Sequence, residues 1–185
     1  MKKIIAIALT LVLALGLSVR ALAEEITVVS REEGSGTRGA FIELFGVEVK
    51  DADGKKVDMT TEEAEITNST SVMLTSVAGN PSAIGYISLG SLNDTVKALE
   101  IDGVSPSADG VKDGSYKIAR PFNIMLSAKA GDAAKAFVDF IMSADGQKVV
   151  TDSGYVSVSD AAAFAGSTIQ GKVVVAGSSS VTPVM

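Results

Sequence analysis

Residues 26–46 read ITVVSREEGSGTRGAFIELFG and predict a strand, a loop and a helix in succession. Ile26–Val29 is a short run of residues that favour β-strands, and Gly34-Ser35-Gly36 is typical of a tight loop. Apolar residues then recur at the spacing of one helix face, which Gly46 ends. This face consists of Ala40, Phe41, Leu44 and Phe45. A strand that leads through a small-residue loop into a helix is a building unit of α/β folds.

The same loop carries donors that suit an anion. Backbone N–H groups at a helix start lie at the positive end of the helix dipole. Ser35 and Thr37 add hydroxyl donors, and Arg31 adds a charged fork that matches two oxygens of a tetrahedral oxyanion. Glu33 is placed either to hold that guanidinium or to accept a proton from a ligand. The loop therefore predicts an oxyanion site, and the donors leave phosphate, sulfate, arsenate and molybdate open.

A second stretch near residue 185 repeats this plan. Lys172–Ala176 predicts a strand, Gly177–Ser180 a loop of small residues, and Val181–Met185 the start of a helix. Ser178, Ser179 and Ser180 would supply neutral donors. Because an isolated helix start gains little stability, we expect either that the sequence has been cut short or that the tail docks on a separate chain.

Composition excludes several classes of function. The 185 residues contain no His and no Cys, which excludes Ser-His-Asp catalysis, disulfides and the usual zinc sites. The formal charge of −6 disfavours nucleic acid as a partner. No base stands beside Ser35 or Thr37 to activate a nucleophile, so we predict a binding protein without cofactor or metal and not an enzyme. Asp51–Gly54 resembles the opening of a calcium loop, but the later ligand positions fail, and we predict a turn.

Residues 1–23 have the pattern of an export signal. Two lysines precede an apolar run at Ile4–Leu17, and Ala21-Leu22-Ala23 suits cleavage after Ala23. The run of 14 residues is shorter than the roughly 20 that a membrane-spanning helix needs. Cleavage would leave 13 basic and 22 acidic residues, a net charge of −9, and no cysteine for a lipid anchor. We therefore expect a soluble exported protein, periplasmic or extracellular.

The remaining sequence alternates helical and strand-like segments. Thr60 and Glu63 have capping-box spacing, and apolar residues after Ser71 indicate a helix ending near Gly79-Asn80-Pro81. Two further helices are predicted at Asp132–Met142 and Asp145–Thr151. Strand-like apolar runs are Ala83–Ile87, Val96–Ile101 and Ile118–Leu126. This alternation favours an α/β domain.

Several of these stretches resemble one family. Ser30–Arg38 is similar to the phosphate loop of the phosphate-binding proteins of phosphate ABC transporters, which have the type II periplasmic-binding-protein fold. Similar stretches elsewhere are Ala83–Leu89, Ala119–Phe122 and Phe140–Gln147. The resemblance implies that Arg31, Ser35, Gly36 and Thr37 contact phosphate, with Glu33 orienting the arginine. Val175–Pro183 resembles the other phosphate loop, which implies that Ser179 and Ser180, supported by Ser178, donate from the opposite lobe.

The order of these loops differs from that of the family. The loop Gly177–Ser180, which we call the serine loop, corresponds to the loop that usually opens the mature protein of the family. Here it stands last, so we predict a permuted arrangement. Residues 24–170 would form one α/β lobe, and residues 171–185 the first strand and loop of the other lobe, incomplete.

The expected function is the extracytoplasmic substrate-binding component for inorganic phosphate uptake through an ABC transporter, with the membrane permease subunits as partners. The alternative is a surface interaction module without tight ligand binding, paired with a second chain that supplies the missing lobe. For the loop around Arg31 we expect phosphate affinity between millimolar and tens of micromolar.

Overall fold

The strand–loop–helix unit predicted for residues 26–46 is present in the computed structural model, which describes residues 25–158 and 161–185. Strand β1 is Thr27–Arg31 and helix α1 is Gly36–Leu44. The other strands are β2 Glu48–Lys50, β3 Lys56–Asp58, β4 Glu65–Thr67 and β5 Ala83–Ile84. The other α-helices are α2 Thr70–Gly79, α3 Ala108–Asp113, α4 Asp132–Ile141 and α5 Ala144–Asp152. Two short 3₁₀ helices are Leu89–Ser91 and Ser179–Val184. The predicted export signal lies outside the described residues.

Strand β1 is the centre of a parallel three-stranded sheet with the order β4-β1-β5. Ser30 pairs with Ile66 on one side of β1, and Val28 pairs with Ile84 on the other. Val29 and Met73 are each 1% exposed and form the centre of the core between the sheet and α2. Because all three strands are parallel, their carboxyl ends share one edge, and loops that follow them meet there.

Helix α1 begins where the sequence predicts it. Ser35 is the N-cap, and its hydroxyl accepts a hydrogen bond from the backbone N–H of Arg38 at 3.3 Å. On the inner face, the Phe41 ring stacks on Tyr86 with centroids 4.1 Å apart. Beyond the helix, Gly46 has φ +67°, a conformation that glycine adopts without strain. These contacts fix the position of the helix start relative to β1.

The acidic stretch Asp51–Gly54 is the turn between the antiparallel strands β2 and β3, as predicted. One oxygen of Asp51 accepts hydrogen bonds from the backbone N–H groups of Asp53 and Lys55, at 3.0 and 2.8 Å. The described residues contain no group of three or more acidic side chains placed to hold a metal ion. The carboxylate of Asp51 therefore serves the turn.

The two helices predicted late in the sequence are confirmed as α4 and α5. The Ser143 hydroxyl, at the N-cap of α5, accepts from the N–H of Gly146 at 3.3 Å. Helix α2 also ends as predicted, with Asn80 as its C-cap. No helix within the described residues is long and apolar enough to span a bilayer.

Other predicted elements are wrong. Thr60 and Glu63 cap no helix, because β4 intervenes and Ser69 caps α2. The strand predicted at Ala83–Ile87 is only two residues long, and Ile84 is 42% exposed. The three runs Val96–Ile101, Ile118–Leu126 and Lys172–Ala176 form no strand, apart from one isolated bridge between Ile101 and Val104. In each case the side chains favour β-structure, but no neighbouring strand in the described part of the chain supplies the hydrogen-bond partners.

Candidate anion-binding cleft

The cleft lies at the carboxyl edge of the parallel sheet. Strand β1 ends at Arg31 and β4 ends at Thr67, and helices α1 and α2 begin a few residues later. Each helix has a serine N-cap, Ser35 and Ser69 respectively. The first N–H groups of a helix have no acceptor within it, so two sets of donors and two positive dipole ends lie near this edge.

Arg31 is the most deeply placed charge at this edge, since its side chain is only 2% exposed. Its Nε donates to one oxygen of Glu32 at 2.8 Å, and its Nη2 donates to the other at 2.9 Å. Its backbone N–H donates to the hydroxyl of Tyr86 at 3.0 Å. Nη1 donates to no atom of the described residues. Arg31 is among the residues that line the cleft.

The carboxylate that holds Arg31 is Glu32 and not Glu33, which corrects the expectation from the sequence. The hydrogen bond from Arg31 is the main cause that lowers the pKa of Glu32 below its usual value of 4.5. Glu33 is exposed and makes no ion pair within the described residues. It lines a separate hollow of about 280 Å³ with Arg38 and Asp58, so its contact with a ligand stays a prediction.

The neighbouring Arg38 is occupied by other partners. Its Nε donates to Asp58 at 2.8 Å, and its Nη1 donates to the backbone carbonyl of Arg31 at 2.7 Å. Burial by itself raises the pKa of Asp58, but hydrogen bonds from Thr60 and Arg38 outweigh burial and lower that pKa. Arg38 thus supports the loop and leaves the open side of the cleft to Arg31.

The serine loop docks on this same edge of its own chain. The Thr37 and Ser180 hydroxyls are hydrogen-bonded to each other, and the Thr70 hydroxyl lies 3.2 Å from that of Ser179. A Cβ atom added at Gly36 would lie 3.2 Å from the Cβ and Oγ of Ser178. These contacts join residues more than 100 positions apart and place the serine loop over the starts of α1 and α2.

The two loops enclose a cleft of about 450 Å³ that is open to solvent. Its lining consists of Arg31, Glu32, Gly34, Ser35, Gly36, Asn68, Gly177, Ser178 and Ser179. Of the predicted ligand contacts, the structure brings Arg31, Ser35, Gly36 and Ser179 to this lining. Thr37 and Ser180 are 8% and 3% exposed and bond to each other beneath it, so their contact with a ligand stays a prediction.

Sequence reasoning missed the contribution of β4 and α2. Asn68 lines the cleft, and Thr70 holds Ser179. Residues 65–70 read EITNST, which is again a short β-rich run followed by small polar residues and a helix. This pattern predicts a helix that starts near Ser69. The capping-box spacing of Thr60 and Glu63 pointed instead to an earlier helix start.

The geometry suits holding an anion. Ser35 is engaged as a helix cap, and the hydroxyls of Thr37, Ser179 and Ser180 bond to other hydroxyls rather than to a base. The backbone N–H groups of Gly36 and Thr37, at the start of α1, make no hydrogen bond to the described residues. The cleft thus combines a guanidinium with neutral donors from three segments of chain.

Comparison with known proteins finds one matching family model and several similar proteins. A family model described as a PBP superfamily domain matches residues 8–145. Phosphate-binding protein PstS 2 of Streptococcus agalactiae serotype V is 60% identical over 161 residues, which are 86% of this chain and 55% of that protein. The solved structure of a phosphate-binding protein of a phosphate ABC transporter from Streptococcus pneumoniae is 49% identical with a TM-score of 0.69, covering 86% of this chain and 62% of that one.

A second solved structure, from Clostridium perfringens, contains bound phosphate. It is 37% identical with a TM-score of 0.64 and covers 72% of this chain and 52% of that one. The chain therefore spans a little more than half the length of the Streptococcus agalactiae protein and of these two solved structures.

Proposed function

This chain belongs to the periplasmic-binding-protein (PBP) superfamily, and on that premise we propose that it is an extracytoplasmic component that captures inorganic phosphate for uptake through an ABC transporter. The mixed α/β fold expected from the sequence matches that of its phosphate-binding relatives. Relatives named as phosphate-binding proteins support binding rather than catalysis as the activity.

One observation carries the proposal, which is that two loops from opposite ends of the sequence meet in a single cleft beside a buried arginine. Arg31 lines the cleft with Nη1 unbonded to any described residue, and Gly36, whose N–H also has no acceptor there, lines it at the start of α1. Ser178 and Ser179 line the cleft from the tail. Phosphate has four oxygens and needs convergent donors, and charge-assisted hydrogen bonds to a guanidinium are the strongest of these.

The charge beside the arginine favours phosphate over sulfate. Glu32 lines the cleft and is itself a carboxylate. Near neutral pH phosphate keeps a P–OH group that can donate a hydrogen bond to a carboxylate, whereas sulfate has no O–H group and is repelled. The net charge of the rest of the molecule matters less, because exposed charges are screened beyond about 8–10 Å.

The test is an equilibrium titration of the purified chain with phosphate and with sulfate, repeated for Arg31→Ala and Arg31→Lys. We expect phosphate to bind more tightly than sulfate. Arg31→Ala should weaken phosphate binding on the order of 10- to 100-fold, because each lost charge-assisted bond contributes roughly 1.5–3 kcal/mol. Arg31→Lys keeps the charge but loses the planar fork, so its phosphate affinity should lie between those of the unmodified chain and Arg31→Ala.

Lys112→Ala is the matched control. It removes one exposed positive charge from α3, which contributes no residue to the cleft lining. Equal affinity in Arg31→Ala and Lys112→Ala would refute the proposed role of Arg31. Failure of the unmodified chain to bind phosphate would refute the function and favour the interaction module as the alternative.

Export and docking on permease subunits are part of the same proposal. The pattern at residues 1–23 supports export, and the relatives named for ABC transport support the permease as partner. Mass spectrometry of the protein released from producing cells should find an N-terminus at Glu24. A retained Met1 would contradict cleavage after Ala23.

A further inference from the structure

Tyr155 lies directly under the serine loop. It follows α5 and is 9% exposed. Its hydroxyl donates to the backbone carbonyl of Ser180 at 2.5 Å. The Ser88 hydroxyl reaches the same carbonyl at 3.3 Å and lies 3.4 Å from the Tyr155 hydroxyl. Two hydroxyls from separate segments thus converge on one carbonyl of the loop.

The bonds from Tyr155 and Ser88 differ in kind from the other hydrogen bonds of the tail. The other bonds from Ser178–Ser180 to the rest of the described chain join hydroxyl to hydroxyl, at Thr37 and Thr70. Only Tyr155 and Ser88 bond to the tail's main chain from outside it, among the described residues. A bond to the main chain fixes where the loop runs, whereas a hydroxyl pair allows either partner to rotate.

The Tyr155 ring is held in place by its surroundings. A Cβ atom at Gly90 would lie 2.1 Å from Cε2 of the ring, so the ring occupies space that only glycine leaves open. Phe122 packs edge-on at a centroid distance of 5.9 Å. The hydroxyl is therefore presented to Ser180 by a ring with little freedom to move.

We propose that Tyr155 is a positioning residue that holds the serine loop against the start of α1 and thereby sets the phosphate affinity of the cleft. Its hold on the loop follows from the geometry around Ser180. Its effect on phosphate rests on the proposed function. Tyr155 is not among the residues that line the cleft. It acts on the cleft through the main chain that carries Ser178 and Ser179.

The experiment measures loop opening and phosphate binding separately. Because the chain has no cysteine, Ser180→Cys places a single thiol at a position that is 3% exposed. Its rate of reaction with a maleimide, without phosphate, reports how often the loop opens. Tyr155→Phe removes only the hydroxyl and should speed labelling about fivefold, as expected for one buried hydrogen bond. In the background with Ser180 intact, Tyr155→Phe should raise the phosphate dissociation constant by a similar factor.

Tyr116→Phe is the control, because the Tyr116 hydroxyl makes no hydrogen bond within the described residues and should leave both readings unchanged. Gly90→Ala perturbs the same contact differently, by displacing the ring, and should also speed labelling.

Equal labelling rates in Tyr155→Phe and Tyr116→Phe would overturn the proposal that Tyr155 holds the loop. Faster labelling with an unchanged phosphate constant would overturn the effect on binding. If the unmodified chain binds no phosphate, the proposed function fails, while the labelling rates still decide whether Tyr155 holds the loop.

Discussion

At the scale of single residues, the pairing of Arg31 with Glu32 decides what the cleft can bind. A guanidinium buried to 2% exposure without a counter-charge would be costly, and Glu32 offsets that cost by accepting two hydrogen bonds. Glu32 uses one edge of the fork, which leaves Nη1 for a ligand. The pair thus holds the arginine ready without neutralising all of its donors.

Replacing Glu32 with Gln should change how stability depends on pH. Its hydrogen bond with Arg31 lowers the pKa of Glu32 in the folded state, so the pair stabilises the fold above pH 4.5, the usual pKa. That contribution is lost as the pH falls through the lowered folded pKa. Because Glu32 is 38% exposed, we expect it to be below about 1 kcal/mol. Urea unfolding from pH 6 to pH 3 should show a difference between the unmodified chain and Glu32→Gln that shrinks below pH 4.5.

Glu33→Gln is the matched control for this measurement. The two residues are adjacent and have the same charge, but Glu33 makes no ion pair within the described part of the chain. Its pH profile should follow that of the unmodified protein. If Glu33→Gln, and not Glu32→Gln, removed the pH dependence, the sequence-based assignment of Glu33 as the partner of Arg31 would be restored.

At the scale of elements, helix α1 contributes its first turn to the cleft and its later turns to packing. Gly36 opens the helix directly against Ser178, whereas Gly39 lies one turn on and would place a Cβ in open space. The same helix therefore contains one glycine whose added Cβ would press on Ser178 and one whose added Cβ would meet no atom within 4 Å. This difference allows packing of the loop to be separated from stability of the helix.

Gly36→Ala should weaken phosphate binding, whereas Gly39→Ala should leave it unchanged. Alanine in place of glycine stabilises a helix by roughly 0.5–1 kcal/mol, so Gly39→Ala should raise the free energy of unfolding by about that amount and leave phosphate affinity unchanged. In Gly36→Ala the new methyl group would lie 3.2 Å from Ser178 and displace the loop. We expect phosphate affinity to fall about fivefold, comparable to one lost hydrogen bond. Urea unfolding and phosphate titration of both variants check this, and equal affinities would contradict the contact between Gly36 and Ser178.

At the scale of the whole molecule, sequence reasoning succeeded where the signal was local. The unit at residues 26–46 and helices α4 and α5 carry their pattern within one stretch, and all three were predicted correctly. Lys172–Ala176 carries an equally strong local signal, but a strand needs a partner, and none is placed beside it. The partner of Arg31 was missed by one position, because loop geometry and not composition decides which of two adjacent glutamates faces the fork.

The packing of the tail, residues 178–185, could not be predicted from the local sequence pattern either. The sequence predicted either that it has been cut short or that the tail docks on a separate chain. In the structure Ser178–Ser180 contact the starts of α1 and α2 of their own chain. The bond between Thr37 and Ser180 joins residues 143 positions apart, and no periodicity encodes such a contact. That both loops bind the same anion stays a prediction, which rests on their similar composition and on their meeting in one cleft. The domain boundary at residue 170 stays a prediction.

The tail supplies Ser178 and Ser179 to the cleft lining, so a chain that ends after Gly177 should bind phosphate on the order of tenfold more weakly, with these two hydroxyl donors removed and the start of α1 uncovered. For the unmodified chain we expect a dissociation constant between millimolar and tens of micromolar, because the cleft is open and its donors compete with water. A chain that ends after Val181 keeps all three serines and the Ser180 carbonyl that Tyr155 binds, and it is the matched control. Phosphate titration of the three chains, with sedimentation to establish that each is monomeric, checks both expectations. Sub-micromolar binding by the unmodified chain would contradict the expected open site, and equal binding by the chain that ends after Gly177 would show that the serine loop contributes no donor.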